Sequence, residues 1–91
     1  MTVQLILRRT GLSRPVYRDR LDYTVVEDGR EIGRMYEDWH SHDDLRWFWS
    51  ITKIIQMPSG QSFVTSARAA TLEMAKGQFM ANWLKCRRFA R

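Results

Sequence analysis

The sequence predicts an α+β fold: an antiparallel sheet of three to four strands with one C-terminal amphipathic helix packed on one face. Three observations carry this prediction. Asp28-Gly29 separates two runs rich in β formers, residues 23–26 and 32–36. Residues 45–51, Leu-Arg-Trp-Phe-Trp-Ser-Ile, alternate as a strand with two Trp on one side. Residues 71–76, Thr-Leu-Glu-Met-Ala-Lys, read as the capped start of a helix.

The elements follow in chain order. Residues 1–20 form a basic N-terminal arm, either disordered or a short edge strand over residues 3–7. Gly11, Ser13 and Pro15 break any regular element there. Residues 21–91 form a single α+β domain. Its first hairpin turns at Asp28-Gly29, because a two-residue type I′ turn needs positive φ at both central positions. That turn sets Val25 opposite Ile32 and Tyr23 opposite Arg34. One face then carries Leu21, Tyr23, Val25, Ile32 and Tyr36, with Arg34 as a misfit that either covers the Tyr23 ring or snorkels to the sheet edge. Residues 37–44 are a polar loop. On the third strand Leu45, Trp47, Trp49, Ile51 and Ile55 share a face. Pro58-Ser59-Gly60 is a turn, and residues 62–66 pair back as a fourth strand.

Thr71 caps the helix through its hydroxyl, and Glu73 suits the positive end of the helix dipole. At 100° per residue, Leu72, Ala75, Phe79, Trp83, Cys86 and Ala90 form one stripe that lies on the sheet. Trp47, Trp49, Phe79 and Trp83 are therefore expected to be buried together. Met80 and Leu84 fall outside the stripe and form an apolar flank.

With 91 residues the chain makes one domain. Its single Cys86 precludes an internal disulfide and suits a reducing cytoplasm, the expected location. No run approaches the roughly 20 apolar residues of a membrane span. The net charge of +5 is segregated: residues 1–21 carry +4, residues 22–44 carry −6 and residues 45–91 carry +7. Basic ends around an acidic middle suit nucleic acid or an acidic partner, or else a solvated surface of mixed charge.

Four segments carry a resemblance: Tyr23-x-Val25-x-Glu27-Asp28-Gly29, Gly33-Arg34-Met35-Tyr36-Glu37, Trp47-x-Trp49-Ser50-Ile51, and Thr71-Leu72-Glu73-x-Ala75-Lys76-x-x-Phe79-x-x-x-Trp83. This pattern resembles a group of small uncharacterised bacterial proteins, and it implies no functional residue. A looser likeness, of element order alone, is to three-stranded-sheet DNA-binding domains such as the amino-terminal domain of some phage integrases. Those domains read DNA from the open sheet face, where this hairpin presents Asp22 and Glu31.

Chemistry-bearing residues are sparse. His40-Ser41-His42-Asp43-Asp44 has metal-ligand residue types on a loop, but a tight site needs a supporting shell, and no metal or other cofactor is expected. Cys86 has no His or acid at helical spacing, so it reads as a buried small hydrophobe. No nucleophile elbow, paired catalytic carboxylates or phosphate loop is present, and no catalytic residue is assigned. The expectation is a non-catalytic binding or accessory module, a monomer or weak homodimer, with an unknown protein partner and no membrane. Trp39, Met80 and Leu84 are the candidate interaction surface. The alternative is nucleic-acid binding through Arg8, Arg9, Arg14, Lys85, Arg87 and Arg88.

Overall fold

The computed structural model of the chain describes residues 4–9, 21–39 and 42–91. It holds five strands, β1 (Ile6–Arg9), β2 (Asp22–Glu27), β3 (Arg30–Glu37), β4 (Trp47–Ile51) and β5 (Ser66–Ala69), followed by helix α1 (Leu72–Cys86). The strands form one antiparallel meander in the order β1-β2-β3-β4-β5. The α+β class with a C-terminal helix is as expected, but the sheet has five strands rather than three to four. The added strand is β1: Ile6 to Arg9 pair with Val26 to Tyr23, so this part of the basic arm is an ordered strand.

The hairpin turn forms as the Asp-Gly pair dictates, with φ of 51° at Asp28 and 78° at Gly29. The expected register does not survive beyond it. Glu27 faces Arg30 and Val26 faces Glu31, but Val25 faces Gly33, because Ile32 is the extra residue of a β-bulge. The slip moves every later β3 side chain to the other face. Met35, expected outside, is buried in the core, and Tyr36 turns to the open face. Arg34 leaves the core face as well. It reaches Asp22 with two hydrogen bonds and lies 5.2 Å over the Tyr36 ring, not on Tyr23. Asp22 is only 2% exposed, so this partner neutralises a carboxylate that burial would otherwise penalise. The same contact holds the Arg34 guanidinium further in its charged form.

Strand β4 is shorter than the sequence suggested. Leu45 lies in a 3₁₀ turn, Asp43–Leu45, and Ile55 forms an isolated bridge with Ala90. The fourth expected strand shifts from residues 62–66 to Ser66–Ala69. Small residues win there for a packing reason. Ala67 and Ala69 face Trp49 and Trp47 across the ladder and let the helix approach closely. Tertiary context overrides the weak β propensity of Ser-Ala-Arg-Ala.

The helix forms where its signals stand. The Thr71 hydroxyl accepts a bond from the Met74 N–H at 3.1 Å. Ala75, Phe79, Trp83 and Cys86 are buried, facing the core side of the sheet. Trp47, Trp49, Phe79 and Trp83 are all buried, and Trp49 meets Phe79 edge-on with ring centroids 5.7 Å apart. Two of the three indoles find partners: Trp49 Nε1 donates to Gln78 Oε1 at 2.9 Å and Trp83 Nε1 to Glu27 Oε2 at 3.1 Å.

Candidate functional site

Helix α1 packs chiefly on β4 and β5. The β1 side of the same sheet face is therefore less covered. Between that side and the helix lies a groove of about 110 Å³, lined by Leu5, Leu7, Val25, Met35, Phe79 and Met80, with Lys76 at its edge. Leu84 follows Met80 by one helical turn and is 50% exposed. Apolar flank and groove thus form one continuous surface, and Lys76 beside it pairs with Glu73 at 3.4 Å. β1 supplies Leu5 and Leu7, residues that the sequence assigns to the arm rather than to a site. The signal available was the alternation of residues 3–7.

Trp39 is not part of this surface. It is 51% exposed, and its indole N–H donates to Glu37 at the far end of β3. The other end of β3 lies beside Glu27, to which Trp83 on the last turns of α1 is bonded. Eight residues of strand, roughly 25 Å at about 3.3 Å each, separate the two ends.

The basic residues named for nucleic acid do not gather on one face. Arg8 projects from the open face and pairs with Glu31 at 2.9 Å. Arg9 lies over Tyr23 on the opposite, helix-bearing face. Arg87 sits 3.4 Å from Glu27 at the hairpin, and Arg88 stacks on Phe89 at 4.9 Å. Lys85 is exposed and lies roughly 140° around the helix from Met80. Arg14 lies outside the described residues.

The open sheet face is largely self-neutralised. Asp22, Tyr36, Phe48 and Arg68 stand directly across four strands from one another. Arg68 covers Phe48 at 5.3 Å and also pairs with Asp38 at 3.1 Å, and Tyr36 meets Phe48 at 5.3 Å.

Among the described residues, no three His, Cys, Asp or Glu side chains are grouped to hold a metal ion. Asp43 pairs with Arg46, His42 and Asp44 are exposed, and His40 lies outside the described residues. No described helix is long and apolar enough to cross a membrane.

Cys86 is fully buried, and burial pushes its thiol above the ordinary range. The thiol stays neutral in the fold while the unfolded chain releases its proton earlier. This contribution to stability is intact below the ordinary thiol value of about 8.5 and is lost as pH rises through the raised folded value. The urea midpoint is expected to fall between pH 7 and pH 10, with a shallower fall in Cys86→Ala. Native protein should react with a disulfide reagent only at the rate of global opening. Rapid stoichiometric labelling at pH 7 would contradict the burial.

No family model matches the chain, and no curated protein or solved structure matches it significantly.

Proposed function

We propose that the chain is a non-catalytic protein-interaction module. The observation that supports this is the apolar groove between β1 and α1, continued by Met80 and Leu84. Its partner is a protein segment that places apolar side chains in the groove. An apolar surface with a charged rim is the usual anatomy of a protein interface. The nucleic-acid reading loses ground because Arg8 and Arg87 pair with different acids, and Arg9 faces away from Arg8.

A photo-crosslinking residue at position 80 or 84, in cells expressing the full chain, tests the surface. The same protein partner should be captured from both positions and not from position 68 on the open face. With the crosslinker at 80, Leu84→Asp should abolish capture, and with it at 84, Met80→Asp should do so, with the fold left intact, since neither side chain is fully buried. Equal capture from position 68, crosslinks solely to a second copy of the chain, or capture that survives the neighbouring Asp substitution would refute the assignment.

A further inference from the structure

A larger cavity, about 420 Å³, opens beside the C-terminal end of the helix and shares no lining residue with the groove. Its walls come from four separate segments: the hairpin turn, the stretch after β4, the last turn of α1 and the C-terminal residues. Arg30, Lys53, Arg87 and Arg91 line it, against two acids, Glu27 and Asp28. Four cations from distant parts of the sequence thus meet around one space, in a class of volume that small-molecule sites occupy.

Several devices fix these side chains. The bulge residue Ile32 accepts backbone bonds from both Thr52 and Lys53, at 2.9 and 3.4 Å, which holds Lys53 on the cavity wall. Bulges often re-aim a side chain beside a site in this way. The C-terminal residues are tied down by Gln56 N–H to the Phe89 carbonyl at 2.8 Å and Arg91 N–H to the Ile54 carbonyl at 2.9 Å. With its amide turned to face Arg91, Gln56 accepts two bonds from that guanidinium. Glu27 is only 13% exposed and already serves Trp83 and Arg87, so its charge is committed. Arg30 and Lys53 form no ion pair among the described residues. The cavity is left with surplus positive charge, an aromatic wall at Trp83 and an apolar one at Ile32.

We propose that this cavity binds a small phosphate monoester. Its dianionic head sits between Arg30 and Lys53, with Arg87 beside them still holding Glu27, and its body touches the exposed edges of Trp83 and Ile32. Guanidinium groups supply forked donors to phosphate oxygens, and Lys adds a compact charge. A concave site lined by one sign of charge concentrates such an anion.

Phenyl phosphate, inorganic phosphate and phenol are the probes, titrated into the full chain at constant ionic strength. The indole N–H signal of Trp83 in a proton–nitrogen correlation spectrum is the readout. Phenyl phosphate should shift that signal saturably, inorganic phosphate more weakly, and phenol hardly at all. Lys53→Gln and Arg30→Gln should each weaken phenyl phosphate about tenfold, the scale of one lost charge-assisted hydrogen bond. Arg8→Gln, on the open face, should leave the affinity unchanged. An unmoved Trp83 signal, phenol binding as tightly as phenyl phosphate, or equal losses in Arg8→Gln and Lys53→Gln would each overturn the proposal. Met80→Asp with Leu84→Asp should leave this titration intact, which separates the cavity from the protein-docking groove.

Discussion

Trp83→Ala is expected to destabilise the protein by about 3–5 kcal/mol, measured as the loss of unfolding free energy in urea. A domain of this size has roughly 5–15 kcal/mol in total, so the variant should stand near the edge of folding. Two losses combine. The indole is 3% exposed and belongs to the core beneath the end of α1, so truncation opens a large void. Its N–H also satisfies Glu27, which would then depend on Arg87 alone in a largely buried setting. Trp83→Phe separates the two effects, because it keeps most of the volume and removes only the donor. Its cost should be intermediate, about 1–3 kcal/mol. A Trp83→Ala variant within 1 kcal/mol of wild type would mean that the helix presents another face to the sheet.

The parts of the fold that were legible in the sequence rest on local chemistry. Asp28-Gly29 names its own turn, Thr71 names its own cap, and the spacing of Ala75, Phe79, Trp83 and Cys86 names the buried face. These signals need no knowledge of distant residues. The register of β3 was not legible in the same way. A two-residue turn fixes the first pairs only, and the bulge at Ile32 resets the rest. One hint existed: an isolated Gly within a strand pattern, here Gly33, marks a bulge or a close approach. The misfit of Arg34 on the expected core face was a second hint, and its real position beside Asp22 removes the conflict.

Strand β5 was displaced by about four residues because Ala67 and Ala69 were chosen for what lies above them, not for strand propensity. The groove required β1 to be in the sheet, and a four-residue strand with two Arg gives little pattern to read. The cavity was still less accessible to sequence reading. Arg30, Lys53, Arg87 and Arg91 are separated by up to 61 positions, and only the meander and the final bridge of Ile55 with Ala90 bring them together. The same folding explains why the segregated charge of the sequence does not become a segregated surface. The acidic hairpin receives Arg8 on one side through Glu31 and Arg87 on the other through Glu27.

Gly33→Ala carries the second large expectation, and its sign opposes intrinsic propensity. Gly inside a strand usually costs roughly 0.5–1 kcal/mol relative to Ala, so propensity alone predicts a gain. The packing predicts a loss of about 3 kcal/mol, the upper part of the range for overpacked cores. A Cβ at Gly33 would lie 2.4 and 2.5 Å from two ring carbons of Phe79 and 2.5 Å from the Ser50 carbonyl oxygen. The ring has little room to retreat, because Phe79 is fully buried and its edge contact with Trp49 closes the other side. The carbonyl cannot move without disturbing the β3–β4 ladder, where Gly33 faces Ile51 and Arg34 faces Ser50. Phe79→Leu tests which contact dominates. If the ring is the main obstacle, Gly33→Ala with Phe79→Leu should cost less than the sum of the single changes by about 1 kcal/mol or more, as contacting residues do. Strict additivity would place the strain at the Ser50 carbonyl instead. A Gly33→Ala variant as stable as wild type would show that β3 and α1 stand further apart than this close approach requires.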